Sequence, residues 1–361
     1  MKAGRAAGLA LAAAALAGLA GCANLDYYWQ SASGHLALMR AARPLEQWLE
    51  DGQTAEPLRQ RLRLAQRMRA FAVAELQLPD NASYRRYAAL GRRAAVWSVV
   101  AAPEFSLEPQ TWCFPVAGCV SYRGYFSEAA ARAEAAALAA QGLDTHVQAV
   151  PAYSTLGWMN WAGGDPLLDT FIRWPEGELA RLIFHELAHQ QVYVADDTVF
   201  NESFATAVER LGAERWLALH GSAAARAEYA AFDGRRRAFR DLVRASGGEL
   251  AALYAAPLGE DQRRARKQQA LQRFRARYAQ LRAGWAREGA GPLAYDAWVA
   301  QANNASFAAQ AAYDELVPGF EALFEREGRD WRRFYDAVKR LADQPQAERH
   351  RALTLKELHR G

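Results

Sequence analysis

Net charge is scarce in this 361-residue chain: 44 basic and 40 acidic side chains leave +4 with histidine neutral. Without Lys2 and Arg5, which the N-terminal pattern marks for removal, about +2 remains. A balance so near zero excludes the electrostatic footprint of a nucleic-acid-binding protein, so no nucleic-acid partner is expected. Cysteine is nearly absent, with three residues. Cys113 and Cys119, in Trp112-Cys113-Phe114-Pro115-Val116-Ala117-Gly118-Cys119, have no further metal ligands nearby. In an exported protein they read as a small disulfide loop through Pro115 and Gly118. No internal repeat is present. The 51% apolar and 23% charged fractions exclude wholesale disorder. The length suffices for one large domain or two modest ones.

The third cysteine closes a patterned N-terminus. Met1 to Arg5 is short and basic, and Leu9 to Leu19 is an Ala/Leu run too short for a comfortable membrane span. It ends in Leu19-Ala20-Gly21-Cys22, which resembles the lipobox of bacterial lipoproteins. The resemblance implies a signal over 1–21, a lipid on Cys22 and a stable membrane anchor. Ala23 after the cysteine, rather than Asp, resembles lipoproteins sent to the periplasmic face of the outer membrane. The expected location is therefore the cell envelope.

From Leu25 to about Leu90 apolar residues recur at spacings of three and four: Leu36, Leu38, Met39; Leu45, Trp48, Leu49; Leu58, Leu62, Leu64, Met68, Phe71. Pro44 and Pro57 fit helix starts, and Pro79-Asp80-Asn81 breaks the series. Tyr27, Tyr28 and Trp29 lie close to the anchor, either at the membrane interface or packing the first helix onto the body. Ala95 to Ala101 and Cys119 to Phe126 read as strands. Ser127 caps an Ala-rich helix ending near Gln141-Gly142, and His146 to Val150 reads as a third strand. This order predicts a small mixed sheet crossed by a helix. The loop Pro151 to Pro166, rich in aromatic and polar residues, is a candidate cleft wall. After Gly212 the pattern is helical. A stretch from Asp261 to Trp285 is dense in arginine, read as a solvated face or as a contact for acidic lipids or wall polymers.

The chemistry concentrates in Arg181-Leu182-Ile183-Phe184-His185-Glu186-Leu187-Ala188-His189-Gln190, an H-E-x-x-H pattern in an apolar helix expected to run from Pro175 to about Tyr193 or Val194. At 3.6 residues per turn, His185 and His189 project from one face and can take two corners of a zinc tetrahedron. Glu186 lies beside the metal, where it can deprotonate a water. Chance yields such a pattern in roughly one chain per hundred. A hydrolytic zinc needs a third protein ligand. Twelve residues separate His189 from Glu202, which stands on a second helix capped by an Asp or Thr198, ended by Gly212 and buried through Phe200, Phe204, Val208 and Leu211. A helix hairpin returns Glu202 to the imidazoles. Glu209 reads as a partner behind the ligands or a surface charge; Asp196 and Asp197 are weaker ligand candidates.

The pair H-E-L-A-H-Q and N-E-x-F-A-x-x-V-E, here His185 to Gln190 and Asn201 to Glu209, resembles the signature of neutral zinc aminopeptidases of the gluzincin clan. The resemblance implies one zinc ion on His185, His189 and Glu202, with Glu186 as general base. The connection between the motifs is shorter here, and the G-x-M-E-N stretch that holds the substrate amine has no counterpart beyond Gly157-Trp158-Met159-Asn160. Most of the chain, including Tyr153-Ser154-Thr155-Leu156-Gly157-Trp158, is similar to a bacterial family of predicted lipoprotein aminopeptidases.

The fold expected is α+β and mostly helical: a helical tethered segment over 22–92, a zincin-like core over 93–215 and a helical lobe over 216–361. The function expected is hydrolysis of peptide bonds by zinc-activated water, with envelope peptides as substrates. Tyr153 and Tyr254 are candidate oxyanion donors by residue type, Tyr122 and Tyr125 are candidate cleft residues, and the strand Cys119 to Tyr125 is a candidate edge for an extended peptide. An endopeptidase and a cell-wall amidase use the same metal set. A non-catalytic lipoprotein with structural zinc requires a fourth ligand, for which His146 and His220 are the residues to inspect.

Overall fold

A computed structural model describes residues 25–114, 118–291, 293–311 and 315–354. Cys22 and the signal pattern lie outside the described residues. The chain is mostly helical with small sheets, an α+β composition. No helix among the described residues is long and apolar enough to cross a membrane.

Helix α1 covers 25–41. It is followed by β1 (Arg43–Pro44), α2 (Leu45–Glu50), α3 (Glu56–Ala74) and β2 (Arg86–Ala88). Pro44 caps α2 and Pro57 lies in the first turn of α3, where a missing N–H costs nothing. Next come β3 (Val96–Pro103), β4 (Trp112–Phe114), β5 (Gly118–Val120), β6 (Arg123–Tyr125), α4 (Glu128–Ala139), β7 (Leu143–Val150) and β8 (Leu167–Leu168). The Ser127 side chain accepts from the Ala130 N–H and caps α4.

The expected mixed sheet resolves differently. In the order β6-β3-β7 every pairing is antiparallel, and α4 links β6 to β7 over one face. The parallel pairing, β2 with β8, belongs to a separate sheet with β1. The strand expected over Cys119 to Phe126 splits at Ser121 and Tyr122. Its first part pairs with β4, opposing Cys113 and Cys119 in register, and these two cysteines form a disulfide. Its second part joins β3.

The remaining elements are helical: α5 (Glu176–His189), α6 (Thr198–His220), α7 (Ala223–Ala255), α8 (Glu260–Arg287), α9 (Ala294–Ala300), α10 (Asn304–Ala311), α11 (Val317–Arg326), α12 (Trp331–Ala342) and α13 (Gln346–Ala352). One hydrophobic core runs from Leu38 to Leu353, setting α3, α5, α6, α11 and α12 around Phe71, Phe184, Phe204 and Phe334. A second core, with Phe239, Phe274, Trp285 and Val299, lies beneath α7, α8 and α9.

The arginines of α8 are largely engaged within the chain. Arg264 pairs with Glu104, Lys267 with Asp144, Arg273 and Arg277 with Glu249, and Arg282 with Asp296. Arg275 donates to the carbonyls of Val299 and Ala302. This favours the plain reading of that face over a contact for acidic polymers.

Candidate metal centre

The site is assembled by a helix hairpin. Leu179, Ile183, Phe184 and Leu187 of α5 are fully buried, so the opposite face presents His185, Glu186 and His189. Helix α5 stops at His189 with Gln190 as its C-cap, earlier than its apolar pattern suggests. Asp196 adopts φ +66°, a left-handed turn conformation that Asp tolerates better than most residues. Asp197 then caps α6 by accepting from the Phe200 N–H at 3.1 Å. Asn201 locks the turn by donating to the Val194 carbonyl at 2.7 Å and accepting from the Val194 N–H at 2.8 Å. The hairpin returns Glu202 to the histidines.

The expected helix stop at Gly212 does not occur, and α6 continues to His220. A Cβ at Gly212 would lie 2.7 Å from Leu76 Cδ1 and 2.9 Å from Phe184 Cδ2. This glycine therefore lets helices approach closely rather than ending one.

Three ligand-type atoms converge. His185 Nε2 and His189 Nε2 are 3.1 Å apart, and Glu202 Oε2 lies 3.3 Å from the first and 3.7 Å from the second. Bonds of about 2.1 Å to a tetrahedral ion separate neighbouring donors by about 3.4 Å. Two imidazole lone pairs and a carboxylate cannot bond to one another without a proton or cation between them. The set therefore fits a metal ion, and among the described residues this trio is the group that could hold one.

A layer behind the trio orients it. His185 Nδ1 lies 3.1 Å from Glu209 Oε2, whose other oxygen accepts from the buried guanidinium of Arg181. Burial works against a charged His185, but Glu202 and Glu209 outweigh it and hold its pKa well above the ordinary value. Burial alone would raise the Glu202 carboxyl; the charge of His189 and the hydrogen bond of His185 hold it far below its usual range. The pocket thus favours positive charge. The Glu209 side chain is only 12% exposed and is paired with Arg181, so the partner reading holds over the surface reading.

The other candidates fall elsewhere. Asp197 is consumed by its cap and by Arg349 and His350, at 2.6 and 2.9 Å, and Asp196 accepts from the Cys119 N–H at 2.6 Å. Neither joins the trio. His146 lies beside Trp298, and His220 packs on Trp216 and Phe71. Tyr254 donates to Asn304 Oδ1 at 2.7 Å, and Tyr153 packs on His35 and Phe126. Tyr125 packs against Tyr27.

The phenols that share the site's electrostatics are others. Tyr122 is 38% exposed as a residue, yet its hydroxyl end lies deep: burial, then Glu202, Tyr193 and Glu186, push its pKa up. Tyr84, at φ +63° and fully buried, is raised by burial and then by Glu186 and Asp165. Sequence reasoning missed Tyr84, because no local pattern marks a tyrosine in a left-handed conformation. The Pro151 to Pro166 loop reaches the site through Gln190. Asn160 Nδ2 and Asn81 Nδ2 both donate to Gln190 Oε1, and Gln190 Nε2 donates to Ser83 Oγ.

With this geometry established, comparison with known proteins is informative. A family model described as "Putative aminopeptidase" matches residues 26–353. The chain belongs to this family. The match covers the helical segments on both sides of the site as well as the hairpin itself, so family membership describes the whole body. No curated protein and no solved structure matches the chain.

Proposed function

We propose that this chain is a zinc-dependent aminopeptidase of gluzincin type, built on a zincin-like core and acting on peptides in the cell envelope. The observation that carries the reading is the convergence of His185, His189 and Glu202 one residue from Glu186, in a chain whose family is named for aminopeptidase activity. Two imidazoles and one carboxylate are the donor set of hydrolytic zinc, and three protein ligands leave a position for water. Bound there, zinc supplies Lewis acidity towards the scissile carbonyl and the attacking water. Glu186 takes a proton from that water and delivers it to the nitrogen of the leaving amine. Glu209, held by Arg181, fixes the His185 ring so that Nε2 faces the trio. Cys22 carries the lipid, holding the enzyme at the periplasmic face of the outer membrane.

The test is metal analysis of the purified protein beside Glu202→Ala, with peptide cleavage followed by mass spectrometry. The reading expects one zinc per chain, lost in the variant, and stepwise release of N-terminal residues. Internal cuts with zinc retained would keep the chemistry and reject the exopeptidase assignment. A carefully prepared wild type without zinc would refute the proposal.

A further inference from the structure

Helix α1 follows the anchor pattern directly and is fixed to the body. Gln30 donates to the Gly124 carbonyl at 3.2 Å and accepts from the Phe126 N–H at 3.0 Å. Tyr27 stacks on Phe114, with the Arg123 guanidinium 4.0 Å from its ring centre. A Cβ at Gly34 would collide with the Phe126 ring, so helix and body meet closely there. Among the described residues its other side is unpartnered, and it is apolar. Leu25, Tyr28, Trp29 and Leu36 are 67, 45, 74 and 50% exposed. With the exposed Ala32 they fall within an arc of about 100° on the helix. Asp26, Ser33, Ala37 and Arg40 are exposed alongside.

We infer that this stripe is a membrane-docking face, seated on the lipid surface that holds Cys22, so that α1 orients the metal centre rather than trailing as a loose tether. The inference rests on the proposed lipidation of Cys22. Whatever path Ala23 and Asn24 take, three peptide units place Leu25 within about 11 Å of the anchored residue. The first turn of α1 is therefore confined near the headgroups, and its exposed Tyr28 and Trp29 are the residue types that favour that zone. Five apolar side chains along one face, with polar ones beside them, match a helix lying in the interface plane. Because α1 is bonded to β6, the bilayer then sets the height and tilt of the sheet edge that leads into Tyr122.

The test uses the full chain, processed in cells, purified and reconstituted into phosphatidylethanolamine–phosphatidylglycerol vesicles. Single cysteines at Trp29→Cys, Ala32→Cys or Leu36→Cys, against Asp26→Cys and Ala37→Cys, carry a nitroxide label. The expected result is high accessibility to oxygen and several-fold lower accessibility to a water-soluble nickel chelate on the stripe only. Unchanged thermal unfolding confirms that each variant is folded. Equal nickel accessibility on both faces, with Cys22 acylated by mass, overturns the docking alone. Labels on the stripe shielded from both probes and broadened by each other assign the face to a second copy and also overturn it. A chain without acyl mass on Cys22 removes the anchor and the docking together.

Discussion

Glu209→Gln changes one atom of a largely enclosed carboxylate and removes its charge while keeping its volume. In the native chain Glu209 accepts from Arg181 with one oxygen and faces His185 Nδ1 with the other, and the Arg181 and Glu209 side chains are only 8 and 12% exposed. The variant leaves the Arg181 guanidinium buried without its main counter-charge, a change that costs about 3–5 kcal/mol in comparable pairs. Glu178, whose charge also reaches Arg181, places the expectation at the lower end, about 3 kcal/mol. The His185 ring also loses a charged acceptor, so metal affinity should fall about 10–100-fold. Urea unfolding of the metal-free protein reads the first quantity, and competition with a chromogenic chelator reads the second. The double variant Arg181→Met/Glu209→Gln should cost less than the sum of its parts, because the orphaned cation is gone. A Glu209→Gln protein within about 0.5 kcal/mol of wild type, with unchanged metal affinity, would refute the argument that this pair supports the centre.

Glu186→Gln should lower turnover about 10²–10⁴-fold with metal content unchanged; retained turnover removes its role as base. Gly212→Ala should cost about 1–3 kcal/mol in urea unfolding, because its methyl group must displace Leu76 or Phe184; a neutral variant would show that the two helices can separate freely. Asp165 is fully buried, and desolvation raises its pKa to about 6 despite hydrogen bonds from Thr155 and Ser154. The native state therefore holds this proton more tightly than the unfolded chain, so its contribution falls as pH rises from about 4 to about 6 and stays low above, by up to about 3 kcal/mol. The difference between wild-type and Asp165→Asn stability curves should show that decline, and a flat difference would disprove it.

What the sequence makes legible is what neighbouring residues determine. The H-E-x-x-H face follows from helical spacing alone, and the hairpin follows from a turn and helix cap, an Asp or Thr198, between His189 and Glu202. The disulfide follows from two cysteines with no other use. Features made by distant segments are not legible. Gly212 looks like a helix stop because its reason, the approach of Leu76 and Phe184, lies in other elements. The run Cys119 to Phe126 looks like one strand because nothing local shows that its halves serve different sheets. The α8 arginines resemble a basic patch until their acids, Glu104, Glu249 and Asp296, are seen beside them. Arg181 hides in the apolar run of α5, since its partner comes from about three turns into α6.

The ion pairs of Asp197 give the centre an order of completion. This aspartate starts the helix that carries Glu202, and its fully buried side chain is held by Arg349 and His350, more than 150 residues downstream. A chain emerging from its N-terminal end reaches both histidines and Glu202 long before those partners arrive. The ligand hairpin consequently gains its final brace only when α13 docks. A truncated product would display the whole H-E-x-x-H motif and Glu202 yet lack the clamp on its turn, so possession of the motif and possession of a finished centre are separate events in the life of this chain.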